Sequence, residues 1–184
     1  MDILSPFQIA LSLLVSFEPE LMGIIGLSLG VSLTAVGISL VIGLPLGALL
    51  AAYRFPGRGA IIVISNTFLG MPPVVVGLVI YLLVSRAGPF GFLGILYTPA
   101  AMMLAQTILV LPIAIALSRQ VFEALNAEYA PLFRSIGLSQ FRWIASLVSE
   151  ARISLITIGL ACFGRAISEV GAVRFGVGSV RHSA

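Results

Sequence analysis

The sequence predicts an all-α bundle of transmembrane helices, and three observations lead to this fold class. Of the 184 residues, 59% are hydrophobic and 9% are charged, whereas a soluble domain is roughly half apolar and one quarter charged. The mean hydropathy is +1.15. Charge is also absent from three long stretches, 21–53, 59–85 and 87–118, each longer than the ~20 apolar residues that cross a bilayer as a helix.

Turn residues and polar segments divide the chain into four predicted spans. Residues 54–59 contain Pro56, Gly57 and two arginines and predict a tight turn. Residues 86–94 are rich in glycine and proline, which predicts a loop or re-entrant segment near the interface. Residues 119–152 have ordinary polar character and predict two short helices outside the bilayer. The predicted spans are 21–53, 60–85, 98–118 and 153–173, with an interfacial segment at 1–20 and a polar tail at 174–184.

The arginines predict the orientation, because basic residues concentrate in cytoplasmic loops. One side carries Arg54 and Arg58 with the four arginines of residues 119–152, whereas the opposite loop carries only Arg86. We therefore expect the 119–152 segment in the cytoplasm and the amino terminus outside. This distribution also explains the net charge of +3 without any nucleic-acid partner. The single cysteine, Cys162, lies in an apolar stretch and is expected to act as a small buried hydrophobe.

The second predicted span contains a helix-breaking segment. Asn66, Thr67, Gly70, Pro72 and Pro73 fall within eight residues, and the prolines remove helix hydrogen bonds. At 1.5 Å per residue, Pro72 lies about 20 Å beyond Gly59, close to the middle of the membrane. Discontinuous helices at this depth are used to build transport sites. We predict a pathway or gate here, and a kink that serves only packing is the alternative.

The fourth predicted span carries two ionisable residues. Arg165 and Glu169 are spaced i, i+4 and can pair along one helix face, with Ser168 beside them. A charge at this depth costs a few kcal/mol when it faces lipid, so both groups should face the protein interior or a watery cavity. Two interpretations stay open: a gate or pathway role, and a structural ion pair between helices. Direct coordination of a substrate by Arg165 is less favoured, because Glu169 is placed to neutralise it.

The polar 119–152 segment contains a candidate docking surface for a soluble partner. A glycine is expected between its two short helices, with arginines beside it. Aromatic residues at 133, 141 and 143 are available for packing. A plain cytoplasmic loop is the alternative. The candidate residues are Arg134, Ser135, Ile136, Gly137 and Leu138.

These features together resemble a known family. The spacing from residues 135–137 to Glu150 resembles the coupling loop of binding-protein-dependent ABC permeases, which follows Glu-Ala-Ala, three residues, Gly, nine residues, Ile-x-Leu-Pro. The string 164–172 is similar to the same segment of molybdate, sulfate and tungstate permeases. With the strings 54–58, 70–78 and 88–94, the chain looks most like the tungstate branch over residues 21–173.

The resemblance implies a permease that works with other subunits. The partners it implies are a second copy of the permease, a cytoplasmic ATP-binding subunit that docks on the Gly137 loop, and an extracytoplasmic oxyanion-binding protein. It also implies the cytoplasmic membrane as the location, and no cofactor. The chain has no lysine for a phosphate-binding loop, so ATP hydrolysis is expected in the partner subunit.

The sequence also departs from the family pattern. Residues 131–133 stand where Glu-Ala-Ala is expected, and Ser149 and Glu150 replace Leu-Pro. Permeases of this type continue beyond the position of Val173 into another span, so we expect a truncated or frameshifted product that lacks the last helix. Two other functions were weighed: a passive membrane assembly or pore without energy coupling, and a lipid hydrolase or transferase. The absence of an intramembrane His or Asp cluster disfavours the enzyme.

Overall fold

The computed structural model describes residues 19–137 and 139–180, and within them the chain is helical without strands. Residues 1–18 of the predicted interfacial segment 1–20 lie outside the described residues. The helices are α1 (Pro19–Ala52), α2 (Arg58–Leu69), α3 (Pro73–Val84), a 3-10 turn (Gly91–Leu93), α4 (Pro99–Ser135), α5 (Gln140–Glu150) and α6 (Arg152–Val180). The all-α fold class is thereby confirmed.

Helices α1 and α4 form the centre of the bundle and run in the same direction. Small residues let the two backbones approach closely. A Cβ placed on Gly47 would overlap the Oγ atom of Ser118, and one placed on Gly43 would lie 2.6 Å from the Cβ of Ala114. The Ser118 hydroxyl lies within hydrogen-bond distance of three carbonyl oxygens, those of Ala114 at 2.6 Å, Ile115 at 3.2 Å and Gly43 at 3.3 Å. This polar side chain is therefore satisfied although it is completely buried.

Helix α6 returns antiparallel and packs against both central helices. Its start lies at the carboxyl end of α1 and α4, where Ala151 is fully buried beside Phe122. Further along, its residues enter a buried apolar cluster with Val36 of α1 and Val110 of α4. Cys162 belongs to this cluster and is completely buried, which confirms its predicted role as a small hydrophobe.

Length and composition make up to four helical segments candidates to cross a membrane. Two are continuous, Met22–Ala52 and Pro99–Phe133. The other two are bent pairs, α2 with α3 at 110° and α5 with α6 at 64°. The outward faces of these helices are apolar, with Val41 at 75% and Val74 at 81% exposure. The chain is a membrane-embedded protein, because such faces need a hydrocarbon environment or a second apolar surface.

One sequence expectation about helix limits was wrong. We expected two short helices between residues 119 and 152, but the first is the continuation of α4, which extends unbroken to Ser135. No glycine interrupts the sequence between Ser118 and Ser135, and the helix accommodates Pro131. Helix α6 continues past Val173, where the fourth span was predicted to end, to Val180, because glycines weaken a helix without preventing it.

Candidate coupling surface and transport pathway

The turn between α4 and α5 is built around Gly137, as predicted. Helix α4 ends at Ser135, and Gly137 has a φ of 63°, the left-handed conformation that commonly follows a helix end and that glycine adopts without strain. The Ser135 hydroxyl donates to the carbonyl of Leu132 at 2.7 Å. Ile136 is 62% exposed. Leu138 and the side chain of Arg134 lie outside the described residues, so their coupling role stays a prediction.

Aromatic residues fasten α5 to the end of α4. The Trp143 ring meets Phe133 edge-on at 5.3 Å, and Phe133 stacks on Tyr129 at 5.8 Å. The Trp143 indole N–H donates to Oδ1 of Asn126 at 2.8 Å. The rings of residues 133, 141 and 143 were expected at a docking surface, but Phe133 is buried and Trp143 half-buried within the chain, and the side chain at 141 lies outside the described residues. In the turn itself, Ile136 and Gly137 are exposed.

Ion pairs fasten the same end of the bundle to α1 and α2. The carboxylate of Glu123 on α4 pairs with Arg58 at the start of α2 and with Arg119 one turn earlier on α4, at 2.5 Å. Arg58 also donates from Nε to the carbonyl of Leu50, near the end of α1, at 2.7 Å. A cation is favourable at this position because unpaired carbonyls make a helix carboxyl end negative. One arginine thus connects three helices.

The predicted break in the second span is present and sharper than a kink. Helix α2 ends at Leu69, Gly70 caps it, and Pro72 and Pro73 begin α3 in the new direction. The bend of 110° confirms the break. Asn66, Thr67, Gly70 and Pro72 are exposed on the single chain. The Thr67 hydroxyl donates to the carbonyl of Val63 at 2.8 Å. Whether these residues line a pathway stays a prediction.

Arg165 lies on α6 next to Ala166, a member of the buried apolar cluster. Its Nε atom is buried. The exposed Ser168 donates from its hydroxyl to the carbonyl of Arg165 at 2.8 Å. The helix is continuous over 152–180, so Arg165 and Glu169 have the predicted spacing, but the side chain of Glu169 lies outside the described residues and the ion pair stays a prediction.

Two further polar side chains are buried on the helices that pack against α6, and neither was among the residues predicted from the sequence. Ser32 lies one turn before Val36 on α1, and Gln106 lies one turn before Val110 on α4. Their exposures are 0% and 6%. Within the described part of the chain, the Oγ of Ser32 and the Oε1 of Gln106 have no hydrogen-bond partner. We call Ser32, Gln106 and Arg165 the polar layer.

The break and the polar layer belong to different interfaces. Helices α2 and α3 pack mainly on α4, whereas α6 packs mainly on α1 and α4. Pro72 and Arg165 therefore lie on helices that do not pack mainly against each other. Gln106 was detectable in sequence as the one amide in the third charge-free stretch. Arg58 and Glu123 were not, because 65 residues separate them.

Comparisons with known proteins place the chain in a family. No family model matches it. The tungstate uptake system permease protein TupB of Peptoclostridium acidaminophilum is 35% identical over 175 residues, which are 95% of this chain and 77% of TupB. A probable anion ABC transporter permease protein of Haloferax volcanii is 39% identical over 153 residues, 83% of this chain and 66% of that protein. The molybdenum transport system permease protein ModB of Escherichia coli is 28% identical over 166 residues.

These relatives agree with the fold and with the sequence resemblance. The chain spans about three quarters of TupB and about two thirds of the Haloferax protein. Its described part is a helical bundle with a broken helix pair and a glycine turn after a long central helix. The chain belongs to the family of permease subunits of ABC transporters for tungstate and related anions.

Proposed function

We propose that this chain is the transmembrane subunit of an ATP-driven importer that carries tungstate or a similar tetrahedral oxyanion, such as molybdate or sulfate. The observation that carries the proposal is its 35% identity with a tungstate uptake permease across 95% of its length. The relatives include permease proteins of tungstate, molybdate and sulfate transport systems. Discrimination among these anions is expected in the binding protein that delivers them.

The proposed contact with the cytoplasmic ATP-binding subunit is the exposed turn at Ile136 and Gly137. Helix α5 is fixed to α4 by the Phe133 and Trp143 rings and by the hydrogen bond to Asn126. It also leads directly into α6 through Ala151. A displacement of the turn by the ATPase would therefore move α4 and α6 together, which is how a docked partner can drive a change between two arrangements of the bundle.

The proposed pathway lies between two copies of the chain, with the break at Gly70 and Pro72 and the α6 segment around Arg165 and Ser168 as its gates. The exposure of the break on the single chain supports a role at an interface between subunits. In this arrangement the amino terminus is outside, the arginine-rich end is in the cytoplasm, and the binding protein docks on the outer face of the cytoplasmic membrane.

Tungstate uptake tests this proposal. A host without its own tungstate and molybdate permeases receives the chain with the ATP-binding and binding-protein subunits of the same genome, and uptake of radiolabelled tungstate is measured. We expect uptake that requires ATP and all three proteins. Uptake that continues without the ATPase subunit would instead support the passive assembly, and no uptake from a well-expressed complex would reject the importer.

Two matched glycine variants test the docking surface. Gly137 and Gly94 have the same left-handed backbone, with φ values of 63° and 61°, and both have open space around them. Gly137→Glu should abolish co-purification of the ATPase, because it adds strain and charge at the contact. Gly94→Glu has the same strain in the loop after α3 and should keep the ATPase. Equal losses in both variants would contradict the assignment.

A further inference from the structure

A polar cavity lies at the arginine-rich end of the bundle, beside the ion pairs of Glu123. Its volume is about 520 Å³, and its polar walls are Arg54, Arg58, Glu123 and Asn126, with alanines of α1 and α4 between them. We call this cavity the arginine pocket. The apolar span of α1 ends at Ala52, so the pocket lies where the hydrocarbon region gives way to the headgroup region.

The charges around the pocket leave an excess of positive charge. Glu123 is the carboxylate in its wall, and this group is already shared by Arg58 and Arg119. Arg54 is exposed and forms no ion pair within the described residues. Arg54 and Arg58 in the wall, together with Arg119 beside it, therefore outnumber the one wall carboxylate. A second anion can enter without meeting an uncompensated carboxylate.

The side chains of Arg54, Arg58 and Asn126 offer donors to a ligand. Arg58 uses Nε on the Leu50 carbonyl and one terminal nitrogen on Glu123, which leaves further N–H groups. Asn126 uses its Oδ1 as acceptor for Trp143, so the group it offers is the amide N–H₂. Because a guanidinium matches the geometry of a phosphate-type oxyanion, these walls suit an acceptor-rich anion.

We propose that the arginine pocket binds a phosphate-type oxyanion, supplied either by the headgroup of an anionic lipid or by a free anion. The volume falls within the range of ligand sites, roughly 300–1,000 Å³, and accommodates a glycerophosphate group. The depth of the pocket favours a lipid, whereas a free tetrahedral anion has the same charge and acceptor oxygens. The site is independent of the Gly137 turn and does not need the transport assignment.

Native mass spectrometry of the full chain tests the proposal with defined lipids. The protein is exchanged into micelles with equal amounts of phosphatidylglycerol and phosphatidylcholine, and retained lipid is counted after partial delipidation. We expect selective retention of phosphatidylglycerol. Arg54→Gln should weaken this binding about tenfold, the effect of one charge-assisted hydrogen bond. Arg152→Gln, an equal change in charge outside the pocket, should leave it unchanged.

A second variant tests the pocket without altering charge. Ala127 lies in its wall on α4 and is exposed, so Ala127→Leu fills the cavity while helix propensity is kept. Loss of phosphatidylglycerol in this variant, with an unchanged helical circular dichroism spectrum, supports a defined site. Equal retention of the two lipids, or equal effects of Arg54→Gln and Arg152→Gln, rules out the lipid as the source of the anion. The proposal is then overturned if no free anion binds either.

Inorganic phosphate and tungstate distinguish the two sources. Each anion is titrated by calorimetry into the lipid-free protein and into Arg54→Gln. Binding that Arg54→Gln weakens, and that displaces retained phosphatidylglycerol, assigns the pocket to the free anion. Lipid retention without anion binding assigns it to the lipid. The absence of both, in wild-type protein with a native unfolding transition, overturns the proposal.

Discussion

The two ends of the central α1–α4 pair differ in whether their buried and half-buried polar groups have partners. At the arginine-rich end, Glu123, Arg58 and the indole of Trp143 all have partners on other helices. At the polar layer, Ser32 and Gln106 are buried but have no hydrogen-bond partner in the described residues. An unsatisfied buried group costs about 1–3 kcal/mol. The contacts of Arg58, Glu123 and Trp143 therefore hold four helices together at one end, which we call the joint. At the polar layer, Ser32 and Gln106 would gain hydrogen bonds from water or from a different arrangement of the helices.

The largest effect is expected from the close contact that supports the joint. Gly47→Ala would place a Cβ against the Oγ of Ser118 and 2.8 Å from the backbone nitrogen of Arg119. Overpacking of this kind costs about 3 kcal/mol, which we expect as a lower free energy of unfolding in detergent. Gly37→Ala is the control on the same helix, because a Cβ there meets nothing within 4 Å. If both variants were equally stable, the close contact would be refuted.

Gln106→Leu separates stability from function at the polar layer. Removing an unsatisfied amide should raise the free energy of unfolding by about 2 kcal/mol. If the layer takes part in the transport cycle, tungstate uptake should fall in the same variant. The control is Gln120→Leu on the exposed face of α4, where both quantities should stay near wild type. A destabilised Gln106→Leu would mean that the amide is satisfied in the native protein.

Glu123→Gln should weaken the joint. The variant leaves Arg58 and Arg119 without a carboxylate, and because these pairs are partly exposed the loss should be about 1 kcal/mol. The stability difference from wild type should shrink as salt is added, since salt screens exposed ion pairs. Glu128→Gln, an exposed position on the same helix, provides the control for the charge change. A loss that does not depend on salt would assign the effect to packing.

The smallest effect is expected from Trp143→Phe, which keeps an aromatic ring beside Phe133 but removes the donor to Asn126 and part of the ring surface. This loss should lower the free energy of unfolding by roughly 0.5–1 kcal/mol. If α5 transmits movement to α4 through this contact, ATP-dependent uptake should decrease while co-purification of the ATPase stays the same. Unchanged uptake would show that the ring contacts alone fix α5.

The candidate site was only partly predictable from the sequence. Pro72 and Pro73 predict a break because proline removes backbone donors whatever surrounds it, and Gly137 predicts a turn for a similarly local reason. The continuation of α4 to Ser135 was missed, because the charged residues that begin at Arg119 were interpreted as the end of a helix. Charged residues mark where a helix leaves the apolar region, and they do not end it. The packing of Phe133 against Trp143 was missed because the side chain that an aromatic ring contacts cannot be deduced from the residues next to it in the sequence.

The sequence by itself determined the membrane class, the all-α fold, the break and the glycine turn. These follow from composition and backbone chemistry, which act within a few residues. Only the tertiary structure decided that Arg58 shares a carboxylate with Arg119 and that Ser32 and Gln106 lie buried without a hydrogen-bond partner among the described residues. Such relations depend on which helix faces meet, and packing of small residues such as Gly47 against Ser118 sets that register across distant parts of the chain.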